Sequence, residues 1–257
     1  MKILVCGYGF VGRCHLDATR EPDKGVVYDP PMGFGDETLF KSADAVIVAV
    51  STPEAEDGSC DMTNVYDVVG RVPDYVPILI KSTISLAGWR FMKSEFPNKP
   101  ISFSPEYLRA NHAVADFKAQ TAISIGGGNE LFWREYLYGL CDIQIIIQDP
   151  EMLILTKYFR NSFLAMKVAF FNQVYDMAVA EGIEDPRQLT NSISDDPRIG
   201  KSHTYVHKDD RGYGGHCFPK DVAALLHTAH LAGVDLSILS EAMQYNERLR
   251  DESRNNL

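Results

Sequence analysis

Lys2-Ile3-Leu4-Val5-Cys6-Gly7-Tyr8-Gly9-Phe10-Val11-Gly12 is the stretch on which the reading of this chain turns. Its apolar start reads as a short buried strand, and the run that follows is G-x-G-x-x-G. That spacing has a mechanical meaning when a strand precedes it and a helix follows. Gly7 permits the tight turn, Gly9 lets backbone approach a pyrophosphate, and Gly12 lets the helix pack close on the strand. Tyr8, Phe10 and Val11 fill the remaining positions of the turn. A second strand is expected over Gly25 to Tyr28, closing on an acid, Asp29. An acid at that distance suits the adenosine ribose hydroxyls and repels a 2′-phosphate, so the expected cofactor is NAD rather than NADP.

Further apolar runs follow at Ala45 to Val50, Pro77 to Lys81, Pro100 to Phe103, Ala122 to Ile125 and Ile143 to Ile147. Continuous runs of this kind belong to strands buried on both faces of a parallel sheet. Three of them end in Ser51-Thr52-Pro53, Ser82-Thr83 and Ser104-Pro105-Glu106, at the carboxyl edge where such sheets bind ligands. Each ending alone is an ordinary loop start. Their recurrence at one edge makes them candidates.

The character changes after Asp149-Pro150. From Glu151 up to Gly182 neither proline nor glycine interrupts, which predicts one helix of roughly nine turns. Leu153, Leu155, Phe159, Phe163, Leu164, Val168, Phe170, Phe171, Val174 and Met177 occupy more than one stripe of it. Such a helix has to be covered by later helices or by a second subunit. Lys157 and Asn161, at i and i+4, share one face; taken alone, the pair reads equally as a solvated lysine and an incidental neighbour. The expected architecture is therefore α/β: a Rossmann-type doubly wound parallel sheet over residues 1–150, then an all-helical dimerisation domain over 151–257 led by the long helix.

Within that second part lies Gly212-Tyr213-Gly214-Gly215-His216-Cys217-Phe218-Pro219-Lys220-Asp221. A glycine-rich turn delivers Cys217 to the start of a helix, where Pro219 is well tolerated and the macrodipole favours a thiolate. Asp221, four residues on, falls on the same face. A buried structural cysteine in a glycine connector is the competing reading of this stretch by itself.

Composition narrows the field. The 257 residues carry a net charge of −10, which argues against nucleic acid as a partner. Five cysteines, an odd and scattered set, point to free thiols in a reducing compartment. No segment is long and apolar enough to span a membrane, so a cytoplasmic protein is expected. His203, His207, His227 and His230 have no acid or cysteine cluster beside them, and no metal site is expected.

With these residues placed, the sequence resembles the nucleotide-sugar dehydrogenase family. The likeness is spread over nearly the whole chain. It rests on Gly7 to Gly12, on Ala43-Asp44-Ala45 through Ser51-Thr52-Pro53 with Asp57-Gly58-Ser59, and on Lys81-Ser82-Thr83. It continues through Ser104-Pro105-Glu106-Tyr107-Leu108-Arg109, Lys157-x-x-x-Asn161, Arg198-Ile199-Gly200 and Gly214 to Asp221. The resemblance implies an NAD-dependent, four-electron oxidation of the C6 alcohol of a nucleotide sugar, foremost UDP-glucose to UDP-glucuronate.

In that scheme Cys217 carries a thiohemiacetal and then a thioester. Asp221 with Thr83 holds the water that takes the alcohol proton, Lys157 and Asn161 stabilise oxyanionic oxygen, and Glu106 serves hydrolysis. The resemblance also assigns Ser51, Thr52, Thr83 and Lys220 to the cofactor. It assigns Glu106, Tyr107, Leu108, Lys157, Asn161, Arg198, Tyr213 and Gly214 to the nucleotide sugar. Two departures stand out. The acid usual four residues after Glu106 is Ala110, and the family's C-terminal domain, which closes over the nucleotide, is not found before Leu257. These leave room for a degenerate NAD-binding dimer with a regulatory or scaffold role. A two-electron hydroxyacid dehydrogenase shares Lys-x-x-x-Asn but has no need of Cys217.

Overall fold

The structure, a computed structural model, describes residues 1–18, 25–108, 112–140 and 143–255. It divides into two compact units: Met1–Ala55 with Cys60–Lys157, and Glu56–Ser59 with Tyr158–Leu257.

The first unit is built on one seven-stranded sheet. Its strands are β1 (Ile3–Cys6), β2 (Val26–Tyr28), β3 (Ala45–Val48), β4 (Ile78–Ile80), β5 (Ile101–Phe103), β6 (Ala122–Gly127) and β7 (Gln144–Ile147). They lie in the order β2-β1-β3-β4-β5-β6-β7. β1 and β3 have no exposed surface, as their unbroken Val, Ile, Leu and Ala content requires. Around the sheet run α1 (Phe10–Ala18), α2 (Leu39–Ser42), α3 (Thr63–Arg71), α4 (Leu86–Glu95), α5 (Ala113–Ala119) and α6 (Glu130–Leu140). The chain steps from β1 outward to β2 and then back across to β3. That reversal opens a crevice at the carboxyl ends of β1 and β3, where doubly wound sheets bind their ligands.

One pairing departs from the all-parallel sheet the sequence predicts. β6 runs antiparallel to β5, with Ser102 opposite Gly127 and Phe103 opposite Gly126, and β7 follows β6 in parallel. Three glycines make the reversal possible. A Cβ on Gly127 would lie 2.6 Å from the Ile101 carbonyl oxygen, at a φ of +111°, and one on Gly128 would lie 3.1 Å from Pro100 Cα. The backbones approach so closely there that no side chain fits.

The second unit is helical. α7 (Pro150–Ala180) is 31 residues long, and the division between the units falls inside it, after Lys157. Gly182, at φ +72°, ends it with a left-handed turn in which the Gly182 amide bonds the Val179 carbonyl and the Ile183 amide bonds that of Ala178. α8 (Pro186–Ser194) starts on an N-cap, Asp185, whose carboxylate accepts the Arg187 amide. α9 (Phe218–Leu231) and α10 (Ser237–Asn255) complete the unit. Phe171, Val206, Val222, Leu225, Leu239 and Leu249 are buried in it. Among the described residues no helix is long and apolar enough to cross a membrane.

The close approach at Gly127 yields a stability prediction. Gly127→Ala combines a clash with backbone with a left-handed φ, and should cost about 1–3 kcal/mol. Urea unfolding measures it, and an unchanged midpoint would mean that the β5–β6 contact is looser than described.

Candidate functional site

The three glycines of the first turn occupy three different environments. A Cβ on Gly7, at φ +100°, would meet the Ala49 carbonyl oxygen at 2.4 Å, and one on Gly12 would meet that of Gly7 at 1.9 Å. A Cβ on Gly9 would meet nothing within 4 Å. The first and third glycines are thus demanded by packing, while the second leaves an open approach to backbone at the start of α1. Asp29 Oδ2 accepts the Tyr8 amide at 2.7 Å, so the acid that ends β2 also fixes the turn. Phe34 packs edge-on against the Tyr8 ring at 5.2 Å, and the Arg13 guanidinium covers that ring at 4.6 Å. An open glycine backbone at a helix start, with a carboxylate beside it, fits the pyrophosphate and ribose of a dinucleotide. At the end of β3, Ser51 is exposed and Thr52 buried, and Asn64 Nδ2 donates to the Ser51 carbonyl at 3.0 Å.

The ends of β4 and β5 bring buried charges together. Lys81 Nζ donates to Ser104 Oγ at 3.1 Å and pairs with Glu106 Oε2 at 3.1 Å. The second contact is ionic rather than directional, since Oε2 accepts no well-aligned hydrogen bond. Glu106 Oε1 accepts the Tyr107 amide at 2.9 Å and Gln120 Nε2 at 3.3 Å. Burial pushes the Glu106 carboxyl up, but the Lys81 ammonium and the Tyr107 amide, with the other groups beside it, together outweigh burial and hold the group below the ordinary carboxylate value. Lys157, also buried, donates from Nζ to the Glu106 carbonyl oxygen and lies 5.6 Å from the Tyr107 ring centre. Leu108 packs in a small apolar cluster with Cys14, Ala113 and Phe117. Thr83 is half-buried, and its carbonyl accepts Cys60 Sγ at 3.5 Å. Arg109 and Ala110 lie outside the described residues.

Sequence reading assigned no role to Lys81 or His15. Lys81 closes an apolar strand, where a charge is itself a signal that a partner waits. His15, on the buried side of α1, has no exposed surface and no hydrogen-bond partner for either ring nitrogen. Burial, with the Lys81 charge adding to it, lowers its pKa to about 3.

In the second unit Cys217 is exposed and caps α9, its carbonyl accepting the Asp221 amide at 3.0 Å. The Asp221 carboxylate is buried one turn below. Its Oδ2 accepts Asn161 Nδ2 at 2.6 Å and its Oδ1 accepts Lys220 Nζ at 2.6 Å. Pro219 sits in the first turn of α9. Tyr213 is buried and Gly214 exposed, while Arg198 stands out to solvent in an ion pair with Asp196 at 2.5 Å. The structure thus joins Asn161, Lys220 and Asp221 in one unit, and Lys157 and Glu106 in the other.

The glycine turn, the acid after β2 and the reversal in strand order define a Rossmann-type dinucleotide-binding fold. Two family models match the chain. The UDP-glucose/GDP-mannose dehydrogenase family, NAD binding domain, matches residues 34–135, and the same family's central domain matches residues 153–248. The chain belongs to the UDP-glucose/GDP-mannose dehydrogenase family. The UDP-glucose 6-dehydrogenase of Rickettsia conorii is 31% identical over 81% of this chain and 50% of its own length. That of Pseudomonas aeruginosa is 28% identical over 98% of this chain and 57% of its own. A UDP-glucose dehydrogenase from Pyrobaculum islandicum shares the fold with a TM-score of 0.81 at 25% identity, covering 96% of this chain and 68% of that one. The chain spans about half the length of the curated relatives it matches. The Gly7 to Gly12 turn precedes the matched span and stands on its own geometry.

His15 gives a pH prediction. Its folded pKa of about 3 lies below its unfolded value of 6.5, so the fold holds the ring neutral. Its contribution is complete above 6.5 and is lost as the pH falls from there toward 3, at about 1.4 kcal/mol per pH unit for one proton. Urea midpoints of the wild type should therefore fall between pH 7 and pH 5, and those of His15→Leu should fall less. Parallel curves for the two proteins would show that His15 takes up its proton at the same pH in the folded as in the unfolded chain.

Proposed function

We propose that this chain catalyses the NAD-dependent, four-electron oxidation of the C6 alcohol of a nucleotide sugar, with UDP-glucose to UDP-glucuronate the foremost case. The observation that carries the reading is an exposed thiol, Cys217, at the start of α9, one turn above a buried Asp221 that Asn161 and Lys220 hold. A two-electron oxidation of a hydroxyacid would have no use for that thiol.

NAD, when bound, supplies the hydride acceptor for both oxidation steps. Gly7 to Gly12 and Asp29 would hold it, with Ser51, Thr52, Thr83 and Lys220 as further contacts. Asp221 and Thr83 orient the water that takes the alcohol proton, and the Asn161 bond keeps the Asp221 carboxylate turned to that task. Lys157 and Asn161 donate to the substrate oxygen as it gains negative charge. Cys217 Sγ adds to the aldehyde carbon as a proton passes to the carbonyl oxygen, so the intermediate stays bound and its existing C–H sits on a tetrahedral, alcohol-like carbon from which the second hydride can leave. The resulting thioester is opened by water, with Glu106 assisting. Tyr107, Leu108, Arg198, Tyr213 and Gly214 contact the nucleotide sugar.

The test follows NADH production with UDP-glucose. Cys217→Ser should lose turnover by a factor on the order of a thousand or more while NAD still binds. An adduct of added sugar mass, trapped as the oxygen ester, is expected by mass spectrometry. Turnover of the variant at the wild-type rate would make the cysteine structural and end the four-electron reading.

We further propose that residues 151–257 form a homodimer through α7. Phe159, Phe163, Phe170 and Met177 recur at steps of four and seven and are each half or more exposed. Each such side chain contributes about 1.5–3 kcal/mol when fully buried, and a second copy of the same seam supplies a matching surface. Light scattering should find a dimer for the wild type and a monomer for Phe163→Glu with Phe170→Glu. A wild-type monomer at micromolar concentration would refute this.

A further inference from the structure

Residues 195–217, between α8 and α9, contain no helix or regular strand, yet they lead into Cys217. Gly212 and Gly215 there have φ of +78° and +76°, and Gly214 and Gly215 are exposed. A glycine-rich segment loses more conformational freedom on ordering than any other, so its position has to be fixed by specific bonds. Two buried asparagines supply them.

Asn246, on α10, accepts the Tyr213 amide on Oδ1 at 2.6 Å and donates from Nδ2 to the Tyr213 carbonyl at 3.0 Å. One carboxamide thus satisfies both backbone groups of one residue, as a neighbouring strand would. Asn172, on α7, accepts Arg211 Nε at 2.6 Å and the Gly212 amide at 3.3 Å on the same Oδ1. Its Nδ2 donates to the Val168 carbonyl at 2.9 Å, which fixes the orientation of the amide. Asp176 bridges Arg211, at 2.7 Å, to the Tyr245 hydroxyl, at 2.6 Å. Asn172 is 1% exposed and Asn246 5%, so neither has water as an alternative partner.

The glycines match these partners. A Cβ on Gly212 would lie 2.4 Å from Asn246 Oδ1, and one on Gly214 would lie 3.3 Å from the Arg250 guanidinium carbon. A Cβ on Gly215 would meet nothing within 4 Å. The segment is held from one side and left open at its tip. Cys217 depends on a different support, the first turn of α9, through the bond between its carbonyl and the Asp221 amide.

We propose that Asn246 and Asn172 are positioning residues that hold the Arg211 to Gly215 backbone as a fixed wall for the nucleotide sugar. What the wall contacts rests on the proposed function; how it is held rests on the hydrogen bonds alone. Because the thiol has its own support, loss of the clamp weakens substrate binding and spares the chemical step.

The experiment uses the full chain. Steady-state oxidation of UDP-glucose is compared for the wild type, Asn246→Ala, Asn172→Ala, Gly212→Ala and Asn172→Asp. Leu249→Ala, a buried α10 position outside the clamp, controls for lost stability. In parallel, trypsin cleavage after Arg211 is timed without substrate. The alanine variants should raise KM about tenfold with kcat unchanged, and should be cut faster at Arg211. Asn172→Asp keeps both acceptor bonds but loses the donor bond to the Val168 carbonyl, and should restore KM and resistance to cleavage in part. Leu249→Ala should move neither.

The proposal is overturned if Asn246→Ala is cut no faster than the wild type, if kcat falls while KM holds, or if Leu249→Ala raises KM as much. A wild type that oxidises no nucleotide sugar would sink the proposed function, and the cleavage rates would then still decide whether the clamp exists.

Discussion

A helix that is apolar round most of its girth can carry only a few polar side chains, and each one it buries has to be met. α7 largely meets that constraint by aiming polar residues at the α8–α9 connection and the start of α9, while the buried Ser162 hydroxyl lacks a hydrogen-bond partner among the described residues. Asn161 reaches Asp221 on the first turn of α9. Lys167 donates to the carbonyls of Ile199 and Gly200, at 2.7 and 2.9 Å. Asn172 and Asp176 take up Arg211 and Gly212. One helix therefore does for the α8–α9 connection what a neighbouring strand does in a sheet. The connection stays irregular while side chains of α7 meet its carbonyls at Ile199 and Gly200 and its amide at Gly212.

The first unit solves a related problem with charge. Lys81 and Glu106 are brought under cover at the ends of two adjacent strands, where neither could be buried alone. Breaking such a pair by removing one partner costs about 3–5 kcal/mol, because the other is left as an uncompensated buried charge. Burial, with the same ammonium adding to it, keeps the neighbouring His15 ring neutral. Glu106 reaches outward through its carbonyl, which receives Lys157, while both of its carboxylate oxygens face inward partners.

Much of the fold was legible because it depends on local pattern. The strand, the glycine turn and Asp29 follow from spacing alone, and the three glycines occupy the environments their positions require. The unbroken run after Pro150 is a single helix, since nothing in it can stop one. α3, α4 and α5 were not read: they are only 9, 10 and 7 residues long, too short for periodicity to stand out. The antiparallel placement of β6 was also missed. A strand's sequence carries its faces but not its direction, and the only local sign was the run Gly126-Gly127-Gly128.

The candidate site divides along the same line. By itself the sequence determined where a dinucleotide turn must form and which helix start carries Cys217, because both are set by residues within a few positions of each other. Pairings across the fold could not be read that way. Asn172 meets Arg211 at a separation of 39 residues, and Asn246 meets Tyr213 at 33. An asparagine in a helix looks solvent-facing until the element packed against it is known. Only the tertiary structure turned Lys81, His15, Asn172 and Asn246 from isolated polar residues into buried partners, because the energy of a buried polar group depends on what reaches it, not on what precedes it in the chain.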